Sequence, residues 1–171
     1  MKYSIFFLII PALLLAACNP MLEWKSYESK DGWFRAEFPG NPKMEKMPVN
    51  TIGRTVTAYM HSVDLRDGAL AVCYFDITAE EEKILVFDNL ARGSFSNLGT
   101  VNYSTRDIMI EGYKGIEAEG KVSKGSVNGI ARFRYFLVDG RIFMLQVVGY
   151  PAFVKSDNTD KFFKSFKLLE E

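Results

Sequence analysis

The chain has 171 residues, with 21 basic and 21 acidic side chains and one histidine. This balance leaves no basic excess to grip a phosphate backbone, so nucleic acid is excluded as an expected partner. Apolar residues make up 48% of the chain and aromatics 14%, which excludes a disordered segment and predicts one globular domain with a sizeable core.

Residues 1–17 begin with a single basic side chain, Lys2, and are apolar from Ile5 to Ala17, interrupted by Pro11. This is the pattern of a secretory signal peptide. The 15 residues from Tyr3 to Ala17 fall short of the roughly 20 needed to span a bilayer as a helix. The run Leu15-Ala16-Ala17-Cys18 resembles the bacterial lipobox. That resemblance implies cleavage before Cys18, a thioether-linked diacylglyceride on its sulfur, and N-acylation with a chain such as palmitate. Cys18 is therefore the expected lipid-attachment residue and the bilayer the expected first partner, since stable anchoring takes more than one acyl chain. Asn19 stands where Asp would signal inner-membrane retention in Gram-negative lipoproteins, so the expected address is the outer membrane facing the periplasm. Residues 18–23 form a short tether, and the domain runs over 24–171. The five residues between Cys18 and Trp24 reach no more than about 20 Å, which keeps the folded body near the bilayer.

Along the domain, Asp31-Gly32, Asp67-Gly68 and Asp139-Gly140 each predict a two-residue hairpin turn with positive φ at both positions. Around the last pair, Phe133, Tyr135 and Leu137 alternate with Arg132 and Arg134, and Phe143, Leu145 and Val147 follow on the return. Strands are predicted near 33–38, 52–65, 69–77, 101–110, 113–123, 128–138 and 141–150, with further turns at Gly112 and Gly125. Thr78-Ala79-Glu80-Glu81 reads as a capping box, in which Thr78 caps the Glu81 amide and Glu81 reaches back. Ile84, Phe87, Ala91, Phe95 and Leu98 continue at helical spacing to a left-handed stop at Gly99, predicting one helix over 79–98. A shorter helix near 157–166, capped by Asp157 or Thr159, presents Phe162, Phe163 and Phe166 as core. The fold class is α+β: a mostly antiparallel sheet of six to seven strands with a long central helix and a short C-terminal helix packed on it.

With Cys18 acylated, Cys73 has no intramolecular disulfide partner, and its place in the apolar run Ala69–Ile77 reads as a small buried hydrophobe. A reactive thiol would need His61, the only histidine, beside it. Asp64, Asp67 and Asp76 could supply the carboxylate pair of a glycan hydrolase, but also suit turns and strand ends. Glu80, Glu81 and Glu82 open a helix, where negative charge complements the exposed amides, rather than marking a cation site. No Gly-rich phosphate loop, His-Glu-x-x-His or paired-Cys spacing occurs. No catalytic residue, metal or cofactor is expected.

Several phrases fall in an order that resembles the PsbP-like superfamily, with DcrB-type envelope lipoproteins among its members. They are Asp31-Gly32-Trp33-Phe34-Arg35-Ala36-Glu37-Phe38-Pro39-Gly40-Asn41-Pro42-Lys43, Gly112-Tyr113-Lys114-Gly115-Ile116-Glu117, Arg134-Tyr135-Phe136-Leu137-Val138-Asp139-Gly140-Arg141 and Phe163-Lys164-Ser165-Phe166. The resemblance covers most of residues 24–169 and implies a mostly antiparallel sheet with helices packed on it. Members act mainly by binding proteins or assisting assembly, and no shared catalytic residue is available to carry over. The expected function is a membrane-anchored, non-catalytic envelope lipoprotein that binds an envelope protein or helps assemble a complex. The alternative is a small-ligand or lipid carrier with a sheet–helix pocket lined by residues such as Trp24, Trp33 or Tyr150; the remote alternative is an envelope hydrolase. Expressed in a bacterial host with an alkyne fatty acid, the wild type is expected to be labelled and membrane-bound and Cys18→Ala unlabelled; unlabelled, soluble wild type would end the tether reading.

Overall fold

A computed structural model describes residues 23–50, 54–83, 87–124 and 127–169. Cys18, the signal segment and most of the tether lie outside the described residues. The chain forms β1 (Trp24–Ser29), β2 (Phe34–Pro39), β3 (Lys43–Asn50), β4 (Thr55–Leu65), β5 (Gly68–Asp76), α1 (Ala79–Lys83), α2 (Phe87–Asn97), β6 (Tyr103–Ile110), β7 (Tyr113–Lys124), β8 (Val127–Val138), β9 (Arg141–Gly149), α3 (Pro151–Val154), α4 (Asp157–Ser165) and β10 (Lys167–Leu168). The fold is α+β, but the strands divide between two sheets. A seven-stranded sheet runs β3-β4-β5-β9-β8-β7-β6, and a three-stranded sheet runs β1-β2-β10. Every pairing is antiparallel.

The small sheet and α4 cover one face of the large sheet. In β2, Phe34, Ala36 and Phe38 alternate inward and are fully buried, the two-residue period of a strand covered on one side. They meet Leu70, Val72, Phe136, Phe143, Leu145 and Val147 from the large sheet and Phe162, Phe163 and Phe166 from the C-terminal segment. The three C-terminal phenylalanines are core, as their spacing predicts. On the other face of the large sheet, α2 buries Ala91 and Phe95 against Ala118, Phe133 and Tyr135.

Three strands were not foreseen. β1 carries polar residues at most positions, and β3 (Lys-Met-Glu-Lys-Met-Pro-Val-Asn) is an edge strand with little burial. Lys43, Lys46 and Pro48 there suit an edge that must not recruit another chain, but they erase the apolar alternation that announces a strand. Only two residues long, β10 leaves no periodicity to read.

The single helix expected over 79–98 is corrected to two short ones, α1 and α2, with residues 84–86 outside the described residues, so Ile84 drops out of the comparison. Both end signals hold. Thr78 and Glu81 form the capping box, with Thr78 N–H donating to Glu81 Oε2 at 2.7 Å and Glu81 N–H to Thr78 Oγ1 at 3.3 Å. At the far end Gly99 has φ 79°, and the Thr100 and Gly99 amides reach back to the Phe95 and Ser96 carbonyls, the paired bonds of a Schellman stop. The α4 start differs: its N-cap is Ser156, whose hydroxyl does not cap the helix. Thr159 is fully buried and donates to the Phe153 carbonyl at 3.0 Å instead.

The turns also sort by geometry. Asp139-Gly140 takes φ 47° and 79°, the mirror-type turn expected, and Glu111-Gly112 repeats it with 50° and 86°. In the β4–β5 hairpin Leu65 pairs with Gly68, so Arg66-Asp67 forms the loop, without positive φ, and Gly68 opens the strand. Between β1 and β2 the positive φ belongs to Trp33, at 57°, and not to Gly32. Phe162 is fully buried between β2 and the core. Phe162→Ala is expected to cost about 3–5 kcal/mol of stability, read from urea unfolding.

Candidate functional site

The end of the sandwich beside the β1–β2 turn gathers the most unusual chemistry. Asp76 and Arg141 are direct cross-strand partners at the β5–β9 boundary. Arg141 forks onto the Asp76 carboxylate at 2.6 and 3.1 Å and donates a third bond to the Asp31 carbonyl at 2.8 Å. Its guanidinium lies 4.3 Å from the Trp33 ring centroid and 4.9 Å from that of Tyr74. Trp33 is locked on both sides, its amide donating to the Lys30 carbonyl at 3.2 Å and its carbonyl accepting from the Leu169 amide at 2.9 Å. A left-handed backbone at a bulky aromatic is an outlier that costs about 1–3 kcal/mol. Burial does not repay it, because Trp33 is 46% exposed. The ring borders a cleft of about 1010 Å³ with Glu28, Lys30, Arg35, Glu111 and Lys167 at its rim.

A second concavity lies beneath α2. The helix packs over β7 and β8, so it sits to one side of the large sheet and leaves the β3–β4–β5–β9 region less covered. A cavity of about 610 Å³ results. Its floor includes Met60, Cys73, Phe75, Ile142 and Met144, and its roof Leu90, Ser94 and Leu98. The fully buried Tyr135 also borders it, and its hydroxyl completes no hydrogen bond. An unpaired buried hydroxyl costs about 1–3 kcal/mol, and burial raises its pKa. The three residues expected to line a sheet–helix pocket are elsewhere. Trp24 packs at the margin of the core between the sheets with Lys161 over its ring, Trp33 stands at the cleft above, and Tyr150 is exposed before α3.

Cys73 and His61 do not meet. Met60 pairs with Cys73 and His61 with Val72, so alternation sends the two side chains to opposite faces of the sheet. His61 lies among Tyr27, Phe34 and Tyr74, whereas Cys73 packs with Val56, Phe75 and Ile142. Burial pushes the Cys73 thiol up to about 12, so little thiolate exists at neutral pH. Asp76 is apart from the other two aspartates, which share the β4–β5 hairpin end. Asp76 ends β5, while Asp64 pairs with Ala69 near its start and Asp67 sits in the loop before it. At about 3.3 Å per residue, Asp76 is about 23 Å along β5 from the partner of Asp64 and farther still from Asp67, beyond the roughly 6.5–9.5 Å of an inverting carboxylate pair. Glu81 is buried and holds Arg54 through two hydrogen bonds of 2.8 and 2.7 Å. Among the described residues no three His, Cys, Asp or Glu side chains are grouped as metal ligands.

Compared with known proteins, the chain matches no family model and no curated protein. It does match solved structures. The solution structure of cyanobacterial PsbP (CyanoP) from Synechocystis sp. PCC 6803 superposes with a TM-score of 0.58 at 12% identity, covering 90% of this chain and 98% of that one. The fold is PsbP-like. A crystal structure from Bacteroides thetaiotaomicron VPI-5482 superposes with a TM-score of 0.54 at 10% identity over 86% of this chain, which spans 49% of that protein. Identities this low establish architecture alone.

Within the PsbP-like sandwich two ionisable groups are held in the folded state by surroundings the sequence does not announce. Glu117 on β7 faces Arg106 on β6 and Arg134 on β8 directly across the ladder, with Arg132 beside them. Burial pushes its carboxyl up, but hydrogen bonds from Arg134, Arg106 and Arg132 outweigh that and hold it below the usual carboxylate value. His61 shares a 3.0 Å hydrogen bond with the Tyr27 hydroxyl through Nδ1, while its buried Nε2 has no partner. Burial lowers its pKa below the ordinary 6.5. The unfolded chain thus takes up a proton first as pH falls, and His61 contributes stability above 6.5 that is lost below it. Glu117 loses its contribution only below its ordinary 4.5. Urea midpoints are therefore expected to fall between pH 7 and 5 in the wild type and to stay flat over that range in His61→Phe.

Proposed function

We propose that this chain is a membrane-anchored, non-catalytic envelope lipoprotein, held by acylated Cys18, whose PsbP-like domain docks a protein partner through the surface around Trp33. The observation that carries the reading is the strained, half-exposed Trp33 laid over Arg141. Strain of this kind persists at sites where geometry is used, and Trp and Arg are the side chains most enriched among the anchors of protein interfaces. Three contacts to Asp76 and Asp31 pre-organise Arg141, so little side-chain freedom is left to lose on binding. The mixed charges at the rim of the cleft suit a polar interface border around an aromatic centre.

Orientation agrees with a tether. β1 leads from Trp24, next to the expected anchor, to Ser29, and its six residues carry the Trp33 turn about 20 Å from the tethered end. That separation leaves the docking surface clear of the bilayer for another envelope protein to reach.

The cavity beneath α2 favours a second reading, in which the domain also carries a small apolar ligand. It falls within the 300–1,000 Å³ range of small-molecule sites.

Trp33→Gly separates docking from folding, because glycine tolerates the left-handed backbone while removing the ring. Stability is expected to stay within about 1 kcal/mol of wild type, balancing relieved strain against the lost cation–π contact. Crosslinking in intact cells should recover a reproducible protein adduct from wild type that disappears in Trp33→Gly. An unchanged adduct, or none from wild type, would overturn the reading.

A further inference from the structure

The cavity beneath α2 has a chemical character that narrows what can fill it. Among the described residues no charged side chain lines it, and the polar groups are amides and hydroxyls of Asn50, Asn89, Ser94, Ser96, Asn97 and Gln146. An ionised headgroup placed inside would meet amides and hydroxyls but no counter-charge, which favours a neutral guest over carboxylate and phosphate ends. Met47, Met60 and Met144 contribute to the walls, and methionine's unbranched, polarizable chain adapts to a flexible apolar guest. Gly93 of α2 borders the cavity on its exposed side, and a Cβ added there would meet no atom within 4 Å.

One group in the wall is left unpaired. The Tyr135 hydroxyl is fully buried and has no hydrogen-bond partner. Ser94 of α2 is the neighbouring hydroxyl whose hydrogen bonding opposes the rise that burial imposes on the phenol, but in this geometry it completes no bond to Tyr135 and donates to Met144 Sδ at 3.7 Å. A buried O–H that completes no hydrogen bond is satisfied either by a small shift of Ser94 or by an acceptor on a guest.

Resting on the carrier reading given above, we infer that this cavity binds a neutral single-chain amphiphile, its hydrocarbon against the methionine-containing walls and a carbonyl or hydroxyl oxygen accepting the Tyr135 hydrogen bond. A monoacylglycerol has this chemistry. The expected address beside a bilayer supplies such molecules at short range.

The test uses isolated membranes carrying the full chain and three diazirine probes of matched chain length: a monoacylglycerol, a fatty acid and an alkane. After irradiation, the labelled peptides are mapped by mass spectrometry. The monoacylglycerol is expected to label peptides containing Met47, Met144 or α2 in preference to the fatty acid. Tyr135→Phe should cut that labelling by about fivefold to tenfold, the worth of one hydrogen bond, and leave alkane labelling unchanged. Gly93→Leu, which adds a bulky side chain at the cavity's border without meeting another atom and improves helix propensity, should lower labelling by both while leaving the thermal midpoint at or above that of wild type. Absence of cavity labelling with every probe would end the carrier reading itself. Labelling that is insensitive to Tyr135→Phe, or strongest with the fatty acid, would leave the cavity as a ligand site and overturn the neutral-acceptor assignment.

Discussion

The stacked aromatic layer between the two sheets is the contact on which the rest of the molecule depends. Phe166 lies parallel to Phe34 with ring centroids 5.8 Å apart and meets Phe136 and Phe143 edge-on at 5.4 and 5.6 Å. Phe38 meets Phe162 at 5.4 Å. Each such pair adds about 0.5–1.5 kcal/mol to the area it buries. Among the described residues no disulfide does this work, since Cys73 is free. Seating Phe166 brings Lys167–Leu168 alongside β2 and delivers the Leu169 amide to the Trp33 carbonyl. The strained tryptophan is thus held by the last described residues of the chain, more than a hundred positions away in sequence.

Charge is placed to suit the same layering. Arg132 and Arg134 point to the face covered by α4, where both guanidiniums lie over the Phe163 ring at 5.0 and 4.3 Å. Glu117 meets them there, and Asp160 of α4 takes a further bond from Arg132 at 2.9 Å. A buried ion group of this kind stabilises little relative to an apolar core, but removing one member strands the others at a cost of about 3–5 kcal/mol. Its value is in register: Glu117 reaches Arg106 and Arg134 together only when three strands are aligned as they are. On the opposite face α2 is offset toward β7 and β8, and that offset opens the cavity beside Tyr135.

Legibility followed periodicity and local hydrogen bonding. The β8–β9 hairpin, the Thr78–Glu81 box, the Gly99 stop and the C-terminal phenylalanines were readable because each is specified by residues within a few positions of one another. β1 and β3 were not, since their surfaces are largely exposed and carry the polar residues and proline that edges require. The Asp31-Gly32 pair misdirected the turn reading, because Gly32 is wedged against Ser29, Tyr74 and Phe34, while the left-handed step falls on Trp33. Trp33 and Arg141 each appeared in a legible turn phrase; their stacking did not, as it joins turns from separate sheets.

Spacing along the chain was enough for the class of fold, most of its strands, both signals bounding the central helical region and the expectation of an acylated Cys18, because each of these is a local pattern. Three-dimensional packing was needed to divide the strands between two sheets, to put His61 and Cys73 on opposite faces, and to place the pocket beneath an offset α2 and not beside Trp24, Trp33 or Tyr150. Those outcomes depend on which strand faces which and on how a helix lies across a sheet. Such choices are set by the sum of long-range packing, and no local pattern encodes them.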